Sequence, residues 1–442
     1  METQSRVENK NNDVQTSQNM FTRANILANE SKIRLVDFDK DTGLDLFCYN
    51  RCCNEEDEFI KQCRGLVFHG DTLVMKAFSY TDEYSHTDSE NLNRLFTNFG
   101  KWSFYTAYEG ALIRLFYFSG KWYLSTHRKL NAFRSKWSSR DSFGTLFKRA
   151  LEHEVVVNKS FSNRLANTNG ENILERFQST LNKNMQYMFL LRNSSDNRIV
   201  CDPPTVKDTL VLHVGTFVNN TLSMTEDIGL NYPSHHTFTD LNDLVNFVNT
   251  KVNPKSVQGI FCFGPENQQL KVLHSDYMQM FHVRGNEPSL KFRYLQVRMD
   301  KKVTDMLYNL YPDNIEVFND YENTIYDIAH LIYRAYVERF IKKHYVTMPR
   351  EEYQVINECH SWHLADRQNN RVNLDHVIQV LNKQSPTNIN HMIRRFKLEQ
   401  MKKQSQIPRT APSTRNNSNV NSPVNNGLIG PEPTVLRSRT AV

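Results

Sequence analysis

The segment AYEGALIRLFYFSGKWYLST, Ala107 to Thr126, decides how the chain is read. Two runs rich in aromatic and branched residues, Leu112–Phe118 and Trp122–Thr126, flank Ser119-Gly120. A tight turn between such runs predicts a β-hairpin. Strand alternation puts Tyr117 on one face and Phe116 and Phe118 on the other, so core packing explains the aromatics better than base stacking. Similar strand-like runs lie outward from this hairpin, at Gly65–Phe68, Leu73–Met75, Met188–Leu191, Leu210–Val214 and Ile260–Phe263. Helical patterns interrupt them around Ser142–Val155 and Thr239–Asn249. The pattern predicts an α+β domain built on antiparallel sheets.

From Lys291 onward the periodicity is helical. Tyr321–His344 carries Ile325, Ile328, Leu331, Ile332 and Ala335 at three-to-four spacing, and Asn373 is placed to cap a further helix. The expected division is a flexible arm over 1–22, an α+β domain over 23–290, a helical domain over 291–405 and a disordered tail over 406–442. No fixed-period repeat is visible. With 39% hydrophobic and 11% aromatic residues, the composition excludes a wholly disordered chain. The net charge of +6 permits a nucleic-acid surface without demanding one. Cys48, Cys52, Cys53 and Cys63, with His69 nearby, fit no structural zinc spacing, so buried thiols in a reducing compartment are expected and no metal site is assigned. No signal peptide and no membrane-spanning apolar run is seen, so the expectation is a soluble protein made in the cytosol.

Five local motifs follow one another in a characteristic order. The first is Cys63-Arg64-Gly65-Leu66-Val67-Phe68 followed by Lys76-Ala77-Phe78. The second is Ala107-Tyr108-Glu109-Gly110-Ala111-Leu112-Ile113-Arg114 with Ser125-Thr126-His127-Arg128. Tyr187–Leu191 with Asp196–Val200, Val257–Ile260, and Leu270-Lys271-Val272 with Tyr277 complete the series. From about Cys63 to Asn286, and more faintly beyond, the chain resembles the ATP-dependent RNA ligases, in particular the phage tRNA-repair type and relatives in large DNA viruses. The resemblance implies a nucleotidyltransferase fold, two antiparallel sheets around a groove, followed by an all-α C-terminal domain.

The departures from that family carry the functional reading. The family's nucleophilic lysine stands at the position of Ala107, and a methyl group cannot form a phosphoramide. Glu109 replaces an aspartate, Leu190 and Gln258 replace carboxylates, and Leu273 and Tyr80 replace lysines. Metal-assisted phosphoryl transfer needs anionic ligands and charge stabilisation, so these losses together predict no catalytic residues. Arg64, Lys76, Arg114 and Lys271 are expected as a residual phosphate-binding set, although isolated cations are commonly solvated surface charges. Arg339, Lys342 and Lys343, and the basic helix with Arg394, Arg395, Lys397, Lys402 and Lys403, are the expected RNA contacts, because the family uses its C-terminal domain for substrate RNA. Cys359-His360-Ser361-Trp362-His363 reads as a packed helix with satisfied histidines, since no fourth ligand is evident.

The leading expectation is an inactive RNA-ligase-like protein that binds RNA, tRNA or another structured RNA among them, or serves as an assembly subunit with a viral protein partner. No membrane partner and no cofactor are expected. The place implied is host cytoplasm, with packaging in the virion left open. Two alternatives stand beside it. One is an active ligase using ATP and Mg2+ with a displaced nucleophile, Lys101 or Lys121. The other is a structural or packaged virion protein.

Overall fold

Ser119 and Gly120 both adopt positive φ, 47° and 87°. This is the backbone a two-residue hairpin turn requires, and it reverses the chain as the sequence predicts. The computed structural model describes residues 21–218, 221–265 and 268–405. The expected tail over 406–442, and the expected arm as far as residue 20, lie outside the described residues. Of the arm's last two positions, Phe21 is buried and Thr22 caps the helix Arg23–Leu27.

The strands, in chain order, are β1 (Ile33–Asp39), β2 (Leu44–Tyr49), β3 (Arg64–His69), β4 (Thr72–Met75), β5 (Asp82–Ser85), β6 (Ser103–Ala107) and β7 (Gly110–Phe118). They continue with β8 (Lys121–Ser125), β9 (Gln186–Arg192), β10 (Val211–Val218), β11 (Thr221–Ser223), β12 (His235–His236), β13 (Gly259–Phe263) and β14 (Gln269–Leu273). Among the described residues they form three sheets. The first has the order β1-β2-β3-β4, the second β11-β10-β9-β7-β8 and the third β12-β6-β13-β14-β5. All pairs are antiparallel except β14 with β5.

The α+β class on antiparallel sheets is therefore as expected, with a third, four-stranded sheet added to the anticipated two. Its first strand hides from pattern reading for a physical reason. A register shift between Leu35 and Asp37 breaks the alternation of β1, and Arg34, Asp37 and Asp39 interrupt its apolar run.

Alternation in the two five-stranded sheets assigns each face. On the second sheet Ile113, Leu115, Tyr187 and Phe189 pack under the helices Phe143–Val157, Lys159–Leu165 and Ile173–Ser179. On the third, Phe104, Ile260, Cys262, Leu270 and Val272 pack on Leu244 and Val248 of the helix Leu241–Lys251. The intervening residues of both sheets, Leu112 and Leu190 on one and Tyr105, Phe261 and Lys271 on the other, line a shared cavity.

After β14 the chain is helical. The helix Ile315–Tyr336 buries Phe318, Ile325, Ile328, Ala329 and Ile332, and ends in a π-turn over Val337–Ile341, short of the expected His344. Asn373 caps the helix Leu374–Asn382 through the His376 N–H at 2.8 Å. Among the described residues, those up to Ile393 form one compact unit and those from Arg394 to Ser405 belong to a second.

Phe189 is fully buried, with its ring 5.2 Å from that of Phe147 and 5.9 Å from that of Phe177. Phe189→Ala should cost about 3–5 kcal/mol in urea unfolding. A loss below about 1 kcal/mol would mean that the helices do not form a core against this face.

Candidate functional site

Ala107 ends β6 in the third sheet and Gly110 opens β7 in the second, so only Tyr108 and Glu109 separate the two sheets along the chain. At this crossing lies a cavity of about 270 Å³. Arg64, Ala107, Leu190, Gln258 and Lys271, each singled out by the motif order, all line it. Ala107 pairs with Gly259, where a side chain would run into the Val272 carbonyl oxygen. Glycine is therefore what lets the strands close beside Gln258. The aromatic walls come from Tyr49, Phe78, Tyr80, Tyr105, Tyr108 and Phe261. Phe78 and Tyr108 stand in the quoted motifs and Tyr80 at one of the departures from them, whereas Tyr49, Tyr105 and Phe261 escaped the motif reading. For Tyr105, strand parity with Ala107 was the available signal.

Several of the expected residues lie outside this cavity. Lys76 donates to Gln62 Oε1 at 2.7 Å, sits 4.4 Å over the Phe21 ring and faces a separate depression with Lys61 and Asp82. Burial pushes its pKa below the ordinary lysine range. Arg114 is fully buried and donates to the carbonyls of Gly65 and Thr126, tying β7 to β3 rather than facing a ligand. Burial pushes its pKa down to about 9. Leu273 is core, its carbonyl accepting the His86 N–H at 2.9 Å.

The two proposed replacement nucleophiles also miss the cavity. Lys121 pairs with Asp39 at 2.9 Å in another depression, and Lys101 is exposed at the end of a short 3-10 turn. Among the described residues Lys271 is the one lysine lining the cavity, and its Nζ lies 2.8 Å from Glu83.

Glu109 turns into the protein as a latch. Its carboxylate accepts the N–H groups of Val200 and Cys201, each at 3.0 Å, and the Tyr277 hydroxyl at 2.8 Å. Tyr277 in turn accepts from Gln258 Nε2 at 2.7 Å. The helical segment reinforces the same loop, because the Tyr311 hydroxyl donates to the Ile199 carbonyl and accepts from Arg284 Nε at 3.0 Å. Burial raises the Glu109 pKa above the ordinary glutamate range, and the surrounding donors oppose that rise.

The expected RNA contacts are partly engaged within the protein. Arg339 stacks over Tyr353 at 5.1 Å, Lys342 pairs with Glu338 at 2.7 Å, and Lys343 is exposed. Arg394, Lys402 and Lys403 are exposed on the helix Pro386–Ser405, with Arg395 and Lys397 half-buried. His360 stacks on Phe340 at 3.7 Å, and His363 Nδ1 lies 2.6 Å from the Asn370 carbonyl oxygen. Cys48 and Cys63 are buried, and burial pushes the Cys63 thiol up to about 12. Cys53 is exposed, which departs from the expectation of buried thiols throughout. Among the described residues no three His, Cys, Asp or Glu side chains gather where they would hold a metal ion.

No protein-family profile matches the chain. It is 28% identical over 402 residues to the immediate-early protein ICP-46 homolog of Invertebrate iridescent virus 6, covering 86% of this chain and 87% of that protein. Its relatives are viral. The homolog of Invertebrate iridescent virus 3 is 29% identical over 64% of this chain and 61% of its own length. Immediate-early protein ICP-46 of Frog virus 3 is 22% identical over 59% of this chain and 64% of its own length. Among solved structures, a putative ATP-dependent DNA ligase from Aquifex aeolicus is 12% identical, with a TM-score of 0.37 over 76% of this chain and 85% of the other. That likeness is too slight to define the fold. No helix among the described residues is long and apolar enough to cross a membrane.

Burial holds Glu109 in favour of its proton in the folded state, so the folded chain binds more protons than the unfolded one above the ordinary glutamate pKa. Stability should therefore fall as pH rises above the ordinary glutamate pKa of about 4.3 and on through the raised one. Thermal melts should show this fall flattened in Glu109→Gln. An identical pH profile in both proteins would remove Glu109 as its source.

Proposed function

We propose that this chain is a viral pseudo-ligase: a nucleotidyltransferase-like protein that has abandoned nucleotide transfer and binds RNA. The observation that carries the reading is the convergence of Ala107, Leu190 and Gln258 on one cavity, beside what is, among the described residues, a single lysine, already paired with Glu83. Three positions where the family places a nucleophile and two carboxylates therefore share a site without supplying any of the three. Phosphoryl transfer depends on positioned charge, and an alanine, a leucine and an amide provide neither the attacking amine nor the anionic metal ligands.

The exposed cations of the helix Pro386–Ser405 support RNA binding through phosphates. The viral relatives support action within an infected cell, in the host cytoplasm, with a viral protein or the virion as further destinations. ATP and Mg2+ have no role in this reading.

Two assays on the full chain test it. RNA affinity should fall steeply as salt rises from about 50 to 200 mM, and replacing Arg394, Lys402 and Lys403 together by alanine should weaken it by about tenfold or more at low salt. The same protein should join no broken RNA strand when given ATP and Mg2+. Joined product, or no measurable RNA affinity at low salt, would contradict the proposal.

A further inference from the structure

The two cations that line the cavity are not equivalent. β14 and β5 run parallel with Lys271 opposite Glu83, and the strand register holds this ion pair at 2.8 Å. Lys271 thus already has an anion. Arg64, on the first sheet, has no carboxylate within ion-pair reach among the described residues. It donates to the Ser79 carbonyl at 3.2 Å, and its Nε is buried without a partner.

Its surroundings intensify the imbalance. Arg114, fully buried, reaches the carbonyls of Gly65 and Thr126 and likewise has an unpartnered Nε. Arg128 donates to the Asn50 carbonyl at 3.3 Å. These acceptors are all neutral. His127 adds no charge, because burial and the three arginines push its pKa down to about 3. Guanidinium groups withdrawn from water are costly unless an anion answers them, so the Arg64 wall carries a standing positive potential. The same cavity is lined by Tyr49, Tyr80 and Tyr105, flat apolar surfaces suited to a planar ring. The volume of about 270 Å³ sits just below the usual range for small-ligand pockets, about 300–1,000 Å³.

We infer that the cavity is a single-phosphate site: it takes a nucleobase carrying one phosphate, with the phosphate on Arg64 and the base among the tyrosines, while Glu83 shuts out a polyphosphate by occupying Lys271. The inference deepens the pseudo-ligase reading and rests on it for the nucleotide character of the ligand. A free nucleoside monophosphate and the phosphorylated end of an RNA strand offer the same chemistry.

Calorimetric titration of the full chain with AMP, ATP, and a diribonucleotide with and without a 5′-phosphate tests the inference and separates the sources. AMP should bind about tenfold or more tightly than ATP, a difference worth about 1.4 kcal/mol. Tighter binding of the phosphorylated diribonucleotide than of AMP would identify the RNA end as the occupant, and the reverse order would identify the free nucleotide. Arg64→Gln should lose about tenfold or more for AMP, and Glu83→Gln should narrow or reverse the preference of AMP over ATP. Equal or tighter binding of ATP to the native chain, an unchanged preference in Glu83→Gln, or no binding of any probe would overturn the inference. Salt-sensitive RNA binding without AMP binding would leave the pseudo-ligase reading standing, whereas RNA joining would remove that reading independently.

Discussion

The buried carboxylate of Glu109 is the constraint on which the rest of the arrangement depends. It sits in the two-residue crossing between β6 and β7, where the chain passes from one five-stranded sheet to the other. An ionisable group buried to this extent is tolerable only if it is fully hydrogen-bonded. The groups that satisfy it come from far along the chain: Val200, Cys201 and Tyr277. One side chain thereby fixes the strand crossing, the loop after β9 and the first helix of the C-terminal segment. Tyr277 passes the restraint on to Gln258 at the cavity wall.

Under the proposed pseudo-ligase function, the cavity is a preserved frame with altered chemistry. Strand alternation still directs Ala107, Leu190 and Lys271 into one space, because parity is set by the sheets and not by what the side chains do. A methyl, an isobutyl and an ion-paired ammonium now occupy it, surrounded by aromatic rings. The fold can persist in this form because the core faces of the same strands, with Phe104, Ile113, Phe189 and Ile260, do not depend on the residues that face the cavity.

Local signals in the sequence were readable where the physics is local. The Ser119-Gly120 turn, the Asn373 cap and the aromatic alternation of β7 each depend on a few neighbouring residues. What could not be read depends on distant partners or on broken periodicity. β1 lost its pattern to a bulge, and β5 is defined by parallel pairing with a strand 188 residues away. Of the residues that motif order named, Arg64, Ala107, Leu190, Gln258 and Lys271 line the one cavity, whereas Lys76 and Arg114 do not. Arg114 shares the parity of Leu112, which lines the cavity, yet Gly65 and Thr126 cover it. Nothing within its own strand reports that cover. The pairing of Lys271 by Glu83 was hidden for the same reason.

The central claim is that the cavity no longer forms a covalent nucleotide intermediate. The most direct measurement incubates the full chain with α-labelled ATP or GTP and Mg2+ or Mn2+, then resolves it on a denaturing gel beside an active ligase. The account predicts a labelled control and an unlabelled chain, since Ala107 offers no nucleophile and Lys271 is held by Glu83. An acid-labile labelled band at the mass of this protein would contradict it.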